Sequence, residues 1–275
     1  MKAYRIAERV SRLKPSGIRR MFSLAQRIPG VISMGLGEPD FNPPPHVVDA
    51  VKKALDEGKT HYTPNMGILP LRERVAERVR REHGLSYDPE SEVFITVGGT
   101  QAIFLAAMAL INPGDEVLIP DPGFVCYRPA VHLADGVPVP YPLHEENRFR
   151  IDVEELASLI TERSRMIIVN SPSNPTGSVL PRSVLEGVVE LAAEHDLIVI
   201  SDEVYEKIVY DGVRHYCLAS FPGMRERTIV VNSFSKTYAM TGLRVGYALG
   251  PKELIRPMVR IQQFCAACPN APAQY

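Results

Sequence analysis

From residue 93 onward, short apolar runs rich in valine and isoleucine alternate with segments of helical periodicity, and this alternation most constrains the fold. Short continuous runs of this kind are typical of parallel strands that are buried on both faces, with helices covering the sheet. The sequence therefore predicts an α/β fold, an α/β/α sandwich around a mostly parallel central sheet. The predicted strands are 93–97, 116–119, 137–141, 166–169, 197–200, 229–231 and 245–249.

Helical segments precede and separate these strands. Their apolar residues recur with helical spacing, and glycine or proline follows several of their ends. The predicted helices are 45–58, 69–83, 98–111, 151–161, 182–195 and 251–268. Residues 1–30 are basic and partly amphipathic, which indicates an arm with one short helix, and residues 31–34 are expected to form a short strand.

Composition argues against several classes of protein. The chain of 275 residues is 45% hydrophobic with a net charge of −1, so it can bury a sizeable core but lacks the basic excess of a broad nucleic-acid surface. Its apolar runs fall short of the roughly 20 residues of a membrane span, and residues 1–14 lack the apolar middle of a secretory signal. We therefore expect a cytoplasmic protein without a nucleic-acid or membrane partner.

The four cysteines are too few for a disulfide scaffold, which favours a reducing compartment. Cys265 and Cys268 have C-x-x-C spacing, but they come late in a predicted helix and are expected to pack there, with redox or zinc chemistry as the alternative. The seven histidines are scattered without paired spacing, so no metal site is predicted.

Polar and glycine residues follow the predicted strands at their carboxyl ends. An open parallel sheet binds ligands at that edge, so residues that lie far apart in sequence are expected to converge there. These residues are Gly98, Gly99, Thr100, Phe124, Asn170, Asn174, Asp202 and the segment 233–236.

Residues 98–101, Gly-Gly-Thr-Gln, follow a buried strand and open a helix. Free backbone N–H groups and the helix dipole form a seat for phosphate there, and the Thr100 hydroxyl adds a donor. The segment is neither a Walker sequence nor G-x-G-x-x-G, so a dinucleotide is disfavoured. A simple helix start is the alternative.

Lys236 lies among small hydroxyl residues just after strand 229–231. Such a lysine either holds a phosphate as a point charge or, with a lowered pKa, forms a Schiff base; a solvated loop lysine is the alternative. Asp202 ends an apolar run, and a buried carboxylate needs a cation or a metal as partner, with Glu203 as a partly exposed alternative. Phe124, in a Pro-Gly turn, either stacks on a flat group or caps the core.

A phosphate seat, a strand-end carboxylate, an aromatic side chain and a reactive lysine together fit pyridoxal 5'-phosphate. This cofactor needs a lysine for its aldehyde and an acidic residue against its pyridinium nitrogen. Residues 173–177 (Ser-Asn-Pro-Thr-Gly), 202–205 (Asp-Glu-Val-Tyr), 233–236 (Ser-Phe-Ser-Lys) and 242–246 (Gly-Leu-Arg-Val-Gly) resemble the fold-type I class I/II aminotransferases. That family includes the prokaryotic aspartate and aromatic aminotransferases, and the resemblance covers the chain from about residue 15.

The resemblance implies the large-domain fold of aspartate aminotransferase and three catalytic residues. Lys236 would carry the Schiff base and shuttle the proton, and Asp202 would pair with the pyridine nitrogen. Tyr205, with Asn174, would meet the phenolate oxygen of the cofactor. Pyridoxal 5'-phosphate is therefore the expected cofactor, and the expected reaction moves an amino group between an amino acid and a 2-oxo acid.

Further positions match the binding residues of that family. Phe124 would cover the cofactor ring, and Gly37 and Asn174 would contact the substrate, Gly37 through its backbone at the carboxylate. A homodimer with shared active sites is implied because one tyrosine would reach the phosphate of the other subunit. The residues around the phosphate would be Gly99, Thr100, Ser233, Ser235, Arg244 and, from that other subunit, Tyr62.

The resemblance also implies a division into domains. Residues 1–44 would form an arm and part of a small domain, 45–270 the large cofactor-binding domain, and 271–275 the start of the remaining small-domain segment. The family chain continues beyond Tyr275 and supplies an arginine for the substrate α-carboxylate, so the chain is expected to be truncated, with an incomplete small domain. A pyridoxal phosphate lyase or synthase of the same fold, or a non-catalytic binding module, are the alternatives.

Overall fold

A single seven-stranded sheet organises the described part of the chain. The computed structural model describes residues 6–13, 17–32, 34–35 and 37–275. The strands are β1 Val93–Thr96, β2 Glu116–Asp121, β3 Val137–Pro142, β4 Ser164–Asn170, β5 Ile198–Asp202, β6 Thr228–Ser233 and β7 Gly246–Leu249. Their order across the sheet is β1-β7-β6-β5-β4-β2-β3, and the predicted α/β fold with a mostly parallel sheet is confirmed.

Strand β7 is the exception to the parallel arrangement. It pairs antiparallel with both β1 and β6, whereas the pairs among β2, β3, β4, β5 and β6 are parallel. The other strands therefore point the same way, and their carboxyl ends share an edge with the beginning of β7. At that edge Gly246 pairs with both Thr96 and Ser233, so the segment that precedes β7 arrives there too.

The helices cover the two faces of this sheet, and none in the described residues is long and apolar enough to cross a membrane. One helix, over residues 69–83, has the predicted bounds, and another begins after Asp152, whose carboxylate accepts hydrogen bonds from the N–H groups of Glu154 and Glu155. The helices are α1 Glu8–Ser11, α2 Gly17–Ala25, α3 Pro45–Asp56, α4 Leu69–His83, α5 Gly98–Leu110, α6 Tyr127–Leu133, α7 Val153–Ser158, α8 Arg182–Glu194, α9 Phe234–Thr237 and α10 Lys252–Cys265.

The core lies on both faces because side chains alternate along each strand. Ile168 and Ile200 belong to a cluster with residues of α5, α6 and α10, whereas Ile167 and Val199 belong to a cluster with residues of α7 and α8. A third cluster joins α4 to β1, β6 and β7. Helix α5 has the buried, largely apolar composition expected of a helix enclosed between the sheet and other helices.

Three predictions of secondary structure need correction. The arm that was predicted to hold one short helix holds two in its described residues, α1 and α2. The strand at 31–34 is wrong for the described residues 31, 32 and 34, which lie outside any strand, and Ser33 lies outside the described residues. Ile32 and Met34 are 90% and 91% exposed, so this segment has no neighbouring strand to complete its hydrogen bonds. Helix α10 ends at Cys265 because the chain turns at Ala267, which has a φ of 54°.

Helix α6 was not predicted from the sequence. Pro129 lies inside it and resembles a helix breaker, but a proline in the first turn costs little because the N–H that it lacks has no acceptor there. This helix carries Tyr127 into the interior, where the side chain is 1% exposed.

Candidate active site

The edge formed by the strand ends begins with a backbone cradle at the start of α5. Gly98 has a φ of 73°, a conformation that glycine adopts without strain, and it turns the chain from β1 into the helix. The first N–H groups of a helix have no acceptor within it and carry a partial positive charge. Those of Gly99 and Thr100 therefore form an anion seat, and the Thr100 side chain is half-buried beside it.

Arg244 and Gly246 close this cradle from the β7 side. The Arg244 Nη1 donates to the Thr241 carbonyl at 2.8 Å, and its guanidinium lies against Gly98, since a Cβ there would be 2.5 Å from Nη2. A Cβ on Gly246 would lie 2.7 Å from the carbonyl carbon of Gly98 and from the Gly99 nitrogen. Glycine at both positions therefore brings a guanidinium to the N–H groups of the helix start.

The lysine segment is held at the end of β6 by its serines. The Ser233 hydroxyl accepts a hydrogen bond from the Ser235 N–H at 3.1 Å and donates to the Val245 carbonyl at 3.2 Å. Ser233 thereby caps the short helix α9. Both serines are buried, so the lysine that follows leaves a rigid point of the sheet edge.

Lys236 is half-buried and reaches back over the strand ends. Its Nζ donates to the carbonyl oxygen of Gly37 and lies 5.7 Å from the centre of the Tyr205 ring. Burial lowers the pKa of the Lys236 amine, Glu38 opposes that effect, and Arg244 adds to it. Burial is therefore the main cause of the lowered pKa of Lys236.

Asp202 ends β5 and is 5% exposed. Its Oδ2 accepts a hydrogen bond from the Tyr127 hydroxyl at 2.6 Å, and its Oδ1 accepts one from the Val204 N–H at 3.3 Å. Burial raises the pKa of this carboxyl to about 6, although both hydrogen bonds oppose the rise. Since neither donor carries a positive charge, the carboxylate is arranged to receive a cation.

Two asparagines join the ends of β4 and β5 beside this carboxylate. The Asn170 Nδ2 donates to the carbonyl of Asp202 at 2.9 Å, and its Oδ1 accepts from the Asn174 N–H at 2.7 Å. The Asn174 Nδ2 lies 3.4 Å from the Tyr205 hydroxyl. Burial raises the pKa of Tyr205, Asp202 adds to that effect, and the hydrogen bond with Asn174 opposes it.

The two predicted aromatic residues differ in placement. Phe124 is half-buried, packs against the core and meets the Tyr127 ring edge to face, with centroids 5.6 Å apart. Tyr62 is 89% exposed and lies on a loop. That loop is tied down by Gln274, whose Nε2 donates to the Thr63 hydroxyl at 3.0 Å.

Glu203 was expected to be a partly exposed alternative to Asp202, and this is wrong. The residue directly follows β5 and is 2% exposed; successive side chains of an extended chain point to opposite faces, so Glu203 points away from the face of Asp202. Its carboxylate accepts hydrogen bonds from the Ser201 hydroxyl and the Leu218 N–H, and it lies 3.0 Å from His215 Nε2. Glu203 therefore belongs to the far face of the sheet.

A second buried carboxylate, Glu206, lies on that far face. It pairs with Arg78 and lies 3.2 Å from His83, while Glu82 pairs with Arg78 at 3.1 Å and with Lys207 at 2.9 Å. The cluster could offer ligand atoms to a metal ion, but its acidic groups already have cationic partners. We call Arg78, Glu82, His83, Glu206 and Lys207 the far-face network.

Most of the predicted site residues thus meet at one edge of one chain. The exposed Tyr62 is the exception. Gly37 does reach the edge, through its contact with the lysine. The residues that the strand ends, the helix start and the β7 approach bring there are Gly99, Thr100, Phe124, Asn174, Asp202, Tyr205, Ser233, Ser235, Lys236 and Arg244.

Residues 29–275 match the family described as aminotransferase class I and II. The chain belongs to this family. Its activity is therefore that of an aminotransferase, and membership implies pyridoxal phosphate as the cofactor. The resemblance inferred from the sequence motifs is confirmed.

Relatives of this aminotransferase carry several substrate names. It is 50% identical to aromatic-amino-acid aminotransferase 2 of Thermococcus litoralis and 49% identical to an aspartate aminotransferase of Pyrococcus abyssi, each over 98% of this chain and 69% of the relative. The solved structure of N-succinyldiaminopimelate aminotransferase from Mycobacterium tuberculosis superposes with a TM-score of 0.95 at 40% identity, over 98% of this chain and 70% of that chain. The chain thus spans about seven tenths of the length of these relatives.

The residues of this aminotransferase fit the cofactor. The cradle has no room for a Cβ on Gly98, which would meet the Arg244 guanidinium, or on Gly246, which would meet the backbone of the helix start. It offers N–H groups and a positive charge to a phosphate. In the described residues, the donors to the buried Asp202 carboxylate are uncharged. The carboxylate can therefore pair with the positive charge of a pyridinium. Lys236, with its lowered pKa, lies beside Tyr205.

Sequence reasoning missed Tyr127 and the bridging role of Asn170. Tyr127 lies in the unpredicted helix α6, and a tyrosine in an apolar segment gives no sign of the acceptor that its hydroxyl will find. Asn170 was expected at the edge, but its link between β4 and β5 depends on their register, in which Asn170 pairs with Asp202.

Proposed function

We propose that Lys236, Asp202 and Tyr205 are the catalytic residues of this aminotransferase. The observation that carries the proposal is their meeting at one sheet edge with an anion cradle beside them. Gly99, Thr100, Ser233, Ser235 and Arg244 would hold the cofactor phosphate, and Phe124 would pack against the ring. When bound, pyridoxal phosphate supplies a ring that accepts electrons from the α-carbon of an amino acid.

Lys236 holds the cofactor and then moves the proton. Its half-buried amine has a lowered pKa, which increases the neutral fraction that can take a proton from the substrate α-carbon. Its Nζ already reaches across the edge to the Gly37 carbonyl, so the substrate end of the site lies within its range. The Gly37 backbone and Asn174 would contact the substrate there.

Asp202 and Tyr205 set the electronics of the ring. Asp202 would keep a proton on the pyridine nitrogen. A buried carboxylate that lacks a cationic partner is stabilised by a bound cation, here the protonated ring nitrogen. Tyr205 and Asn174, whose polar atoms lie 3.4 Å apart, would donate hydrogen bonds to the phenolate oxygen. Each group thus acts at a different atom of the same ring.

The substrates proposed are an amino acid and a 2-oxo acid, in amino-acid biosynthesis. The relatives' names span aromatic, aspartate and N-succinyldiaminopimelate specificities. We also propose a cytoplasmic homodimer in which Tyr62 serves the phosphate of the neighbouring subunit. The 89% exposure of the Tyr62 side chain supports a position that another chain covers.

Reduction with borohydride tests the anchor. The holoprotein should be labelled on Lys236 and nowhere else when peptides are mapped, and a Lys236→Arg variant should lose the label. Lys252→Arg, which alters an exposed lysine at the start of α10, should keep it. Label on another lysine would refute the assignment of the anchor.

A half-reaction tests the chemistry. The full-length holoprotein mixed with single amino acids and no 2-oxo acid should convert its cofactor once, with one 2-oxo acid released per site. Continued release of ammonia or pyruvate would instead identify a lyase.

A further inference from the structure

A buried hydrogen bond joins α6 to the carboxylate at the end of β5. The Tyr127 hydroxyl donates to the Asp202 Oδ2 at 2.6 Å, a separation typical of a hydroxyl bound to an ionised carboxylate, about 2.5–2.7 Å. Tyr127 is 1% exposed and Asp202 is 5% exposed, so water does not compete for either group. The hydrogen bond therefore determines how the carboxylate is oriented.

The position of Tyr127 is itself well determined. It is the first residue of α6, and its N–H donates to the Phe124 carbonyl at 3.1 Å. Its ring meets the Phe124 ring edge to face at 80°. Tyr127 belongs to the core cluster around α5, and Phe124 packs against that cluster. One turn of chain thus delivers an aromatic ring to the site edge and a hydroxyl to the carboxylate.

We propose that Tyr127 is a positioning residue that holds Asp202 ionised and turns one of its oxygens toward the pyridine nitrogen of the cofactor. The hydroxyl occupies Oδ2, which leaves Oδ1, with its long 3.3 Å contact to the Val204 N–H, as the oxygen available to a cation. This inference rests on the proposed role of Asp202.

The electrostatics of the neighbourhood explain why the hydroxyl is needed. Burial and the adjacent Glu203 disfavour ionisation of Asp202, and the Tyr127 hydrogen bond is the largest effect that opposes them. The charge of Asp202 also contributes to the raised pKa of the neighbouring Tyr205 hydroxyl. Without the Tyr127 hydroxyl, the carboxyl would hold its own proton at higher pH and would release the pyridine proton.

The test compares Tyr127→Phe with Tyr141→Phe. Tyr141 is a matched control because it is 2% exposed and its hydroxyl also donates one buried hydrogen bond, to the Ile168 carbonyl at 2.8 Å. Both variants lose a buried hydroxyl, but only Tyr127→Phe removes one from a carboxylate. A merely structural role predicts the same behaviour for the two.

Two spectroscopic readouts follow the proton. In the apoprotein of Tyr127→Phe, the ¹³C resonance of the Asp202 carboxyl should titrate at a higher pH than in the wild type. In Tyr141→Phe this titration should stay at the wild-type pH. In the holoprotein, the ¹⁵N resonance of labelled pyridoxal phosphate should report a smaller protonated fraction of the pyridine nitrogen in Tyr127→Phe alone, because the shared proton moves to the more basic Asp202 carboxyl. We expect kcat to fall about tenfold or more, with KM changed much less.

A tyrosine analogue covers the case in which Tyr127→Phe does not fold. Replacement of Tyr127 by 3-fluorotyrosine keeps the shape and makes the hydroxyl a stronger donor, so the Asp202 titration should move to lower pH. Unchanged ¹³C and ¹⁵N titrations in every foldable variant would overturn the inference. Failure of the wild-type protein to bind the cofactor at Lys236 would instead overturn the proposed function. The apoprotein titration would still measure the effect of Tyr127 on the Asp202 carboxyl, because it needs no cofactor.

Discussion

Asp202 and Glu206 are buried carboxylates four positions apart whose pKa values are shifted in opposite directions. Each is 5% exposed. The pKa of Asp202 is raised to about 6, whereas that of Glu206 is lowered to about 2. Asp202 faces the site edge and α6, and Glu206 faces α4.

The difference comes from their partners. Burial raises the pKa of both groups, but around Glu206 the hydrogen bond to His83 and the charge of Arg78 outweigh it. Arg78 is itself held by the Tyr247 hydroxyl at 2.9 Å and by Glu82. Asp202 receives a hydroxyl and an amide N–H instead. A buried carboxylate with paired cations stabilises the fold, and one without them is ready for a cationic ligand.

The largest expected effect is that of Asp202→Asn on activity. The amide cannot hold the pyridine proton, so kcat/KM should fall on the order of 10³-fold in a steady-state assay. The apoprotein should gain stability at pH 7, because ionising the buried Asp202 carboxyl is unfavourable. Its pKa is raised from 3.8 to about 6, and at about 1.4 kcal/mol for one pKa unit this corresponds to roughly 3 kcal/mol. Asp196→Asn, at an 88% exposed side chain, should change neither quantity, and equal losses in both variants would contradict the comparison.

Glu206→Gln should give the converse result. It leaves Arg78 without its buried partner, and breaking such a pair costs about 3 kcal/mol or more, measured by chemical unfolding of the apoprotein. The folded fraction should retain kcat within a few-fold because Glu206 lies on the far face. Glu186→Gln, in an exposed pair with Arg182, is the control and should cost under about 1 kcal/mol. A large loss of kcat with unchanged stability would place Glu206 in the active site.

The pH dependence of apoprotein stability should separate the two carboxylates. Asp202 has a folded-state pKa above its ordinary value of 3.8, so its contribution favours folding below about pH 4 and is lost as pH rises toward 6. Glu206 has a folded-state pKa below its ordinary value of 4.5, so its contribution is present above pH 4.5 and is lost as pH falls toward 2. Unfolding curves of wild type, Asp202→Asn and Glu206→Gln from pH 7 to 3 measure these differences; parallel curves would refute the assignment.

The smallest effect is expected at the rim of the far-face network. Lys207→Met removes a pair with Glu82 in which the lysine side chain is 43% exposed, so stability should fall by only about 0.5 kcal/mol. Thermal unfolding at low and high salt measures it, and the difference should shrink at high salt. A loss as large as that of Glu206→Gln would mean that the whole network acts as one unit.

Much of this site was predictable because its residues lie where the chain pattern changes. Asp202, Ser233 and the glycines at the start of α5 follow apolar runs, and the carboxyl ends of parallel strands must share an edge. Tyr127 was not predictable because α6 is short and contains Pro129. The reversal of β7 was not predictable either, although it is what brings Arg244 against Gly98.

Local patterns of the amino-acid sequence predict the alternation of strands and helices, a shared edge at the strand ends, and the lysine and aspartate at that edge. Local patterns suffice for these features because the spacing of buried side chains along a helix or strand depends on neighbouring residues. Tertiary structure alone decided which buried carboxylate is paired and which is ready for a cation. Arg78 reaches Glu206 across 128 positions of sequence, and Tyr127 reaches Asp202 across 75, so the charge state of each carboxylate depends on contacts that only the folded chain creates.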